Sequence, residues 1–173
     1  KPVRMKDLQS KITHVLDRAK TEFEAATELA KAESALERQN YRDAEVAFAR
    51  VVKLNPHTAS AYAGLARVQL MRAPDSDEAV LKAIQHLKKG IQINPGNEDC
   101  HLELAYAFET AQSLEKAIQS LQEGLEHCPL SERMHYQLGR LLLMRARKDE
   151  GCKHLERALE LKPDFQEAKD LLA

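Results

Sequence analysis

Four prolines divide the chain at nearly equal intervals. They end the motifs LNP, INP, HCP and LKP at Pro56, Pro95, Pro129 and Pro163, with separations of 39, 34 and 34 residues. Because proline has no amide hydrogen and restricts the residue before it, each motif is expected to end a helix. A period this regular predicts a repeat architecture, in which every unit is one supersecondary element stacked on the next.

Small and large residues stand at fixed distances before each proline. The position twelve residues upstream is small: Ala44, Ala83, Ala117 and Gly151. The position eight residues upstream is large and apolar: Phe48, Leu87, Leu121 and Leu155. The position five residues upstream holds glycine, alanine or the modestly larger valine: Val51, Gly90, Gly124 and Ala158. A small residue lets two helices approach closely, and a bulky one a turn later fills the space beside it. The pattern therefore predicts antiparallel helix pairs.

The composition is also that of a helical protein. Strong helix formers dominate, aromatic residues make up only 5%, and glycine and proline number six each. Alternating runs of β-branched residues do not occur. The fold class predicted is all-α.

The 34-residue period with these residue types resembles the tetratricopeptide repeat family. The resemblance covers about residues 24–163 and implies four units, which we place at 24–57, 58–97, 98–131 and 132–165. It implies a right-handed superhelix of antiparallel helix pairs. The repeat array would occupy residues 24–173, with a capping helix at 164–173. The first unit fits less well than the others, because Lys31 occupies a position where an apolar residue is expected.

The second unit carries five residues more than the others. Its first helix begins in register and its second helix ends in register, so the surplus lies within MRAPDSDEAV, around Pro74. Asp75 and Glu78 have the spacing of a capping box. Either the turn between the two helices is longer or the second helix is extended at its start, and we expect a plain loop insertion.

Residues 1–23 predict an additional N-terminal helix. Apolar residues recur every three or four positions, and neither glycine nor proline interrupts the chain from Val3 to Asn40. One long helix, or two with a slight break, is expected to run into the first repeat. One interpretation is a helix that merely solvates the end of the array. If the sequence instead begins at a cut that removes a preceding domain, the apolar side of this helix is exposed, which predicts self-association.

A second interpretation comes from the pattern K-P-V-x-x-x-x-L-x-x-x-I-x-x-V-L at residues 1–16. This segment resembles the end of a response-regulator receiver domain, the phosphoacceptor module of bacterial two-component signalling. The resemblance implies that Lys1 would contact the phosphoryl group in an intact parent protein and that Pro2 would follow in cis. The acceptor aspartate of that family would lie upstream, so we expect that the sequence begins at a cut.

Composition and motifs argue against several other functions. The formal charge of −1 predicts neither a nucleic-acid nor a membrane-surface partner. No apolar run is long enough to span a bilayer, no leader pattern occurs, and three irregularly spaced cysteines favour the cytoplasm. Nucleotide-binding, zinc-protease and nucleophile-elbow motifs are missing. We therefore expect no enzyme activity, no cofactor and no metal, and interpret Cys100 and His101 as scaffold residues.

The predicted superhelix offers a concave groove lined by the first helix of each unit. Counting from the core positions gives the candidate peptide-binding residues Ala63, Arg67, Leu70, Leu102, Tyr106, Arg133, Tyr136, Arg140 and Leu143. Met71, Asp99 and Glu109 are expected beside them. Arg67, Tyr106 and Arg140 occupy equivalent places in three successive units, which would suit a peptide with acidic and apolar residues. The alternative is a solvated face on which the arginines pair with neighbouring acids.

Some tetratricopeptide repeat proteins hold the C-terminal carboxylate of a chaperone with cationic and amide side chains. The corresponding positions here are Leu29, Glu33, Gly64, Asp99 and Glu103, where acids replace expected cations. A chaperone clamp is therefore not expected. The function predicted is a non-catalytic protein-interaction scaffold, the output half of a response regulator. The alternatives are a free-standing adaptor or assembly factor and, third, a scaffold within a larger enzyme.

Overall fold

The computed structural model describes residues 5–173, which form nine α-helices and no strand. The helices are α1 (Met5–Glu37), α2 (Tyr41–Leu54), α3 (Ala59–Arg72), α4 (Asp77–Ile93), α5 (Glu98–Thr110), α6 (Leu114–His127), α7 (Glu132–Met144), α8 (Lys148–Leu161) and α9 (Gln166–Leu172). Each helix packs on its neighbours in sequence, and α1, α3, α5 and α7 also pack on one another in turn. The odd-numbered helices therefore form the inner layer of a solenoid, as predicted.

The second helix of each pair ends where the proline motifs predict. The residue before each proline is extended: φ is −138° at Asn55, −139° at Asn94, −128° at Cys128 and −137° at Lys162. This is the conformation that a following proline imposes, because its ring clashes with a helical predecessor. The backbone amide of each of these residues still donates to the carbonyl four residues earlier, which closes the helix.

Side chains six residues after three of the prolines bind the proline carbonyls. These hydrogen bonds run from Tyr62 Oη to Pro56 (3.2 Å), from His101 Nε2 to Pro95 (2.9 Å) and from His135 Nε2 to Pro129 (3.3 Å). A carbonyl oxygen can only accept, so both histidines carry their proton on Nε2 here. The bonds tie the start of one repeat to the end of the previous one.

The turn inside three of the repeats uses a left-handed residue that is not glycine. Gln39, Gln112 and Ala146 have φ of 59°, 55° and 58°. Each follows the first helix of its pair and belongs to a turn that satisfies the last carbonyls of that helix; the amide of Ser113, for example, donates to the carbonyl of Phe108 at 2.8 Å.

The five additional residues of the second repeat are mostly helical. Compared with the next two repeats, α3 is one residue longer, the following turn at 73–76 is one residue longer, and α4 is three residues longer. The expected plain loop insertion is therefore wrong, and the extended second helix accounts for most of the surplus. The N-cap is Ser76, whose hydroxyl accepts from the amide of Ala79 at 3.3 Å, rather than the predicted Asp75.

Helix pairs approach closely where the small residues recur. A Cβ atom added to Gly139 on α7 would lie 2.9 Å from the carbonyl oxygen of Gly151 on α8, and one added to Gly151 would lie 3.0 Å from that of Gly139. The two helices thus touch backbone to backbone. The bulky partner Leu155 is fully buried beside them, as the small-large pattern predicts.

The first part of α1 extends beyond the array. The helix is continuous from Met5 to Glu37, so the prediction of one long helix is confirmed for these residues. From Asp7 onward, Ala25 is its first buried residue. Upstream of it the large apolar side chains are exposed: Met5, Leu8, Ile12, Val15, Leu16 and Phe23. Lys1, Pro2 and Val3, which carry the first part of the receiver-domain resemblance, lie outside the described residues.

The array ends with α9. This short helix packs on α8 and buries Ala168 completely, in agreement with the predicted capping helix. Phe165 occupies the N-cap position of α9 and turns towards the inner layer, where it lines the cavity described below.

Candidate peptide-binding groove

The inner helices line two cavities that meet to form one groove. The first, of about 490 Å³, lies between α3, α5, α7 and the start of α9. The second, also of about 490 Å³, lies between α1, α2 and α3 and reaches Asp99 on α5. Arg67 and Met71 line both cavities, so the groove is continuous from α1 to α9.

Most of the predicted groove residues lie in this groove. Six line the first cavity: Arg67, Leu102, Tyr106, Arg133, Tyr136 and Arg140. Ala63 lines the second, although its side chain is buried. Met71, Glu109 and Asp99, which were expected beside them, also line the groove.

Leu70 and Leu143 were assigned to the groove wrongly. Leu70 is only 1% exposed and belongs to the core between α3, α4 and α5. The side chain of Leu143 packs against α8 instead: its Cγ and Cδ2 lie 3.0 Å from where a Cβ atom on Gly151 would be. Both stand three residues after a groove arginine, whereas in these helices the fourth residue shares the arginine's face. Met71, four residues after Arg67, is 50% exposed and takes the place expected for Leu70.

Arg67 is held by a carboxylate of the next repeat. Its Nε and one terminal nitrogen each lie 2.6 Å from Oε1 of Glu103 on α5. Burial raises the pKa of Glu103, and the neighbouring Arg67 opposes that rise. The burial that raises this pKa is also what weakens solvent screening of the pair.

The arginines of α7 are paired with α5 in the same way. One terminal nitrogen of Arg140 lies 2.7 Å from both carboxylate oxygens of Glu109. Arg133 lies 3.1 Å from Asp99. The acids of α5 therefore hold the arginines of both flanking repeats, which is the salt-bridged alternative that the sequence left open for Arg67 and Arg140.

The floor of the groove is aromatic and apolar. Tyr106 is 49% exposed and stands between the two arginine-bearing helices. The rings of Tyr136 and Phe165 pack with their centroids 4.8 Å apart. Phe165 lies within the capping helix predicted at 164–173, and sequence reasoning missed its second role in the groove. Its signal in the sequence was an aromatic residue at the start of a helix that otherwise only covers the last repeat.

Cys100 and His101, which are adjacent in the sequence, both have structural roles. Cys100 is buried and its thiol donates to the carbonyl of Ala59 at 3.6 Å. Burial raises the pKa of Cys100 to about 12, so the nucleophilic thiolate is disfavoured. His101 binds the carbonyl of Pro95, as described above. Among the described residues no three His, Cys, Asp or Glu side chains converge as a metal site.

Within residues 5–173, no helix combines the length and the apolar character needed to cross a membrane.

Comparison with protein families agrees with the repeat geometry. Three family models described as tetratricopeptide repeat match residues 29–98, 75–136 and 132–165, and together they cover residues 29–165. The chain belongs to the tetratricopeptide repeat family. A search of curated proteins finds no match to its sequence.

Several solved structures share the fold at low sequence identity. PilF of Pseudomonas aeruginosa superposes with a TM-score of 0.74 at 21% identity, over 88% of this chain and 69% of that one. YrrB, a TPR protein with an unusual peptide-binding site, gives 0.64 at 14%, over 95% and 87%. The first TPR of Spaghetti (RPAP3), bound to the HSP90 peptide SRMEEVD, gives 0.63 at 15%, over 71% and 96%.

Proposed function

We propose that this tetratricopeptide repeat protein is a non-catalytic module that binds a peptide segment of a protein partner in its concave groove. The observation that carries the proposal is the continuous groove itself, whose floor presents the exposed side chains of Met71 and Tyr106 between fixed polar walls. Aromatic anchors in a concave, largely preformed site are typical of binding hot spots. Two proteins with this fold, YrrB and the first TPR of Spaghetti, are described as binding peptides, which supports the same use here.

Selection of random peptides by phage display tests the proposal without a known partner. The affinities of selected peptides would be measured by fluorescence polarisation for the native chain and for the double variant Tyr106→Ala/Tyr136→Ala. We expect the variant to bind at least about tenfold more weakly, because two anchors are lost. The control is Leu81→Ala/Leu130→Ala, which removes two exposed side chains outside the groove. Equal binding by the groove variant would refute the proposal.

A finer proposal places this module after a receiver domain, as the output half of a bacterial response regulator in the cytoplasm. It is supported by the pattern at residues 1–16 and by the unbroken helix from Met5 to Glu37, which would transmit a movement of its first turns directly to the first repeat. The alternative is a free-standing adaptor that uses the same groove.

The mass of the native protein in its own cells separates these two, measured with an antibody against this chain. A species larger than 19.5 kDa with an acceptor aspartate upstream of Lys1 supports the response regulator. A species near that mass supports the adaptor. If the receiver is present, a helix-breaking substitution at Thr21 should abolish phosphorylation-dependent binding, and unchanged binding would contradict the coupling through α1.

We also propose that α1 mediates self-association with a second copy of the chain. Leu8, Ile12, Val15 and Ala19 have the alternating three- and four-residue spacing of a coiled-coil seam, and the three large ones are exposed. Ile12→Glu, within this seam, should shift the mass in multi-angle light scattering to that of a monomer, whereas Thr13→Glu, outside the seam on the same segment, should not. A native chain that stays monomeric at high concentration would disprove this.

A further inference from the structure

The charges of the groove are not balanced. Its two cavities are lined by three arginines and six carboxylates, a net charge of −3, although the whole chain carries only −1. The carboxylates are Glu33, Glu37, Asp99, Glu103, Glu109 and Glu167. Neither lysine nor histidine is among the lining residues.

All three arginines are already engaged by acids of α5. Arg67 pairs with Glu103, Arg133 with Asp99 and Arg140 with Glu109, at 2.6 to 3.1 Å. An acidic ligand would either displace one of these carboxylates or bind the remaining N–H donors of an arginine, and both bring its negative charge close to a carboxylate such as Glu103, which is largely buried. Removing one partner of a buried pair is costly, because the remaining charge is left uncompensated. The earlier interpretation, a peptide with acidic residues, is therefore disfavoured.

The remaining carboxylates lie towards the two ends of the groove. Glu33 and Glu37 belong to α1, and Glu167 belongs to α9. All three are exposed, and none of them forms an ion pair within residues 5–173. Between these ends lie Met71 and Tyr106, which offer an apolar and aromatic surface. Aromatic rings also attract the ammonium or guanidinium groups of a ligand through their negative faces.

We infer that the groove takes a peptide segment in which lysine or arginine residues flank an apolar centre. The apolar side chains lie over Met71 and the tyrosines, and the basic side chains reach the carboxylates of α1 and α9. The inference rests on the proposed function, because it assigns the chemistry of the ligand to the same groove. It predicts that binding weakens as salt is added, since exposed charges are screened.

The test uses the peptides selected from the random library as probes. We expect them to be enriched in lysine and arginine. Their affinity should fall about tenfold for Glu33→Gln/Glu37→Gln/Glu167→Gln, because three exposed ion pairs with the peptide are lost. The matched control Glu24→Gln/Glu126→Gln/Glu156→Gln neutralises three exposed acids outside the groove and should leave affinity unchanged.

The outcomes separate this inference from the proposed function. Peptides that depend on Tyr106 and Tyr136 but are rich in aspartate or glutamate would overturn the inference and leave the groove as the binding site. So would basic peptides whose affinity is the same for the triple variant and its control. Peptides that bind without the tyrosines would overturn the proposed function and this inference together.

Discussion

Replacing Gly139 with alanine is expected to destabilise the contact between α7 and α8 by about 1 kcal/mol. In the native chain the Cα of Gly139 faces the backbone of α8. A Cβ atom there would meet the carbonyl oxygen of Gly151 at 2.9 Å and Cγ of Leu155 at 2.8 Å. The leucine can change its rotamer, but the carbonyl oxygen can retreat only if α8 moves.

The magnitude follows from two opposing effects. On an isolated helix, alanine would be more favourable than glycine by about 1 kcal/mol. Overpacking a well-packed interface costs about 1–3 kcal/mol, and a rigid backbone neighbour places this case at about 2 kcal/mol. The net loss of about 1 kcal/mol should lower Tm by about 2–4 °C for a chain of this size.

Thermal and urea unfolding followed by circular dichroism would measure this loss. Because repeat arrays can unfold locally, hydrogen exchange should show the loss in α7 and α8 before the other helices. The control is Gly96→Ala, since the nearest atom to an added Cβ there is Asn94 Oδ1 at 3.5 Å. Because the φ of Gly96 is negative, alanine can adopt it, and this substitution should be neutral or stabilising by up to about 1 kcal/mol.

A Gly139→Ala variant as stable as the native chain would refute the close-contact argument. If the helices separate as expected, the groove should also suffer, because α7 carries Arg133, Tyr136 and Arg140. The same variant should then bind selected peptides more weakly, which links the small-residue pattern of the sequence to the geometry of the groove.

Three further predictions concern single sites. Ala146→Gly should stabilise the chain by about 0.5–1 kcal/mol in urea unfolding, because its φ of 58° strains a residue with a Cβ atom; a loss of stability would contradict the left-handed turn. Nδ1 of His135 lies 2.9 Å from Nδ1 of His154, and burial is the main reason that both pKa values are lowered below the ordinary value of 6.5. The unfolded chain then binds more protons than the folded chain just below that value. The urea midpoint should therefore fall as the pH is lowered from about 7.5 to about 5.5, and His154→Gln should reduce that fall. Cys100, with its pKa raised to about 12, should resist a thiol reagent at mild alkaline pH while the partly exposed Cys152 reacts, as peptide mass spectrometry would show; rapid labelling of Cys100 would show that the core opens.

Sequence alone predicted the features that depend on one repeat. The prolines marked the helix ends because they act on the residue next to them, as the extended φ of Asn55 shows. The small-large pattern identified Ala44 and Leu121 as buried, because contacts within a helix pair recur in every unit. Where one repeat differed from the others the prediction weakened, and the extended α4 was taken for a loop.

Contacts between repeats required the tertiary structure. The groove face was assigned with Leu70 and Leu143 on it, and both point elsewhere, since a small rotation of each helix decides which of two adjacent positions reaches the groove. The partners of Arg67 and Arg140 could not be chosen from sequence, because several acids lie within a few residues of the correct ones.

What the sequence determined by itself is an all-α tetratricopeptide repeat array with an aromatic and charged inner surface. The sign of the net charge that this surface offers a ligand was decided only by the packing of α3, α5 and α7 against one another. Charges on separate helices neutralise one another according to distance, and the pairs of Arg67 with Glu103 and Arg140 with Glu109 form across repeat boundaries. Stacking turns a row of arginines, which by sequence alone suited an acidic ligand, into a groove in which, within residues 5–173, Glu33, Glu37 and Glu167 are the charges without an ion pair.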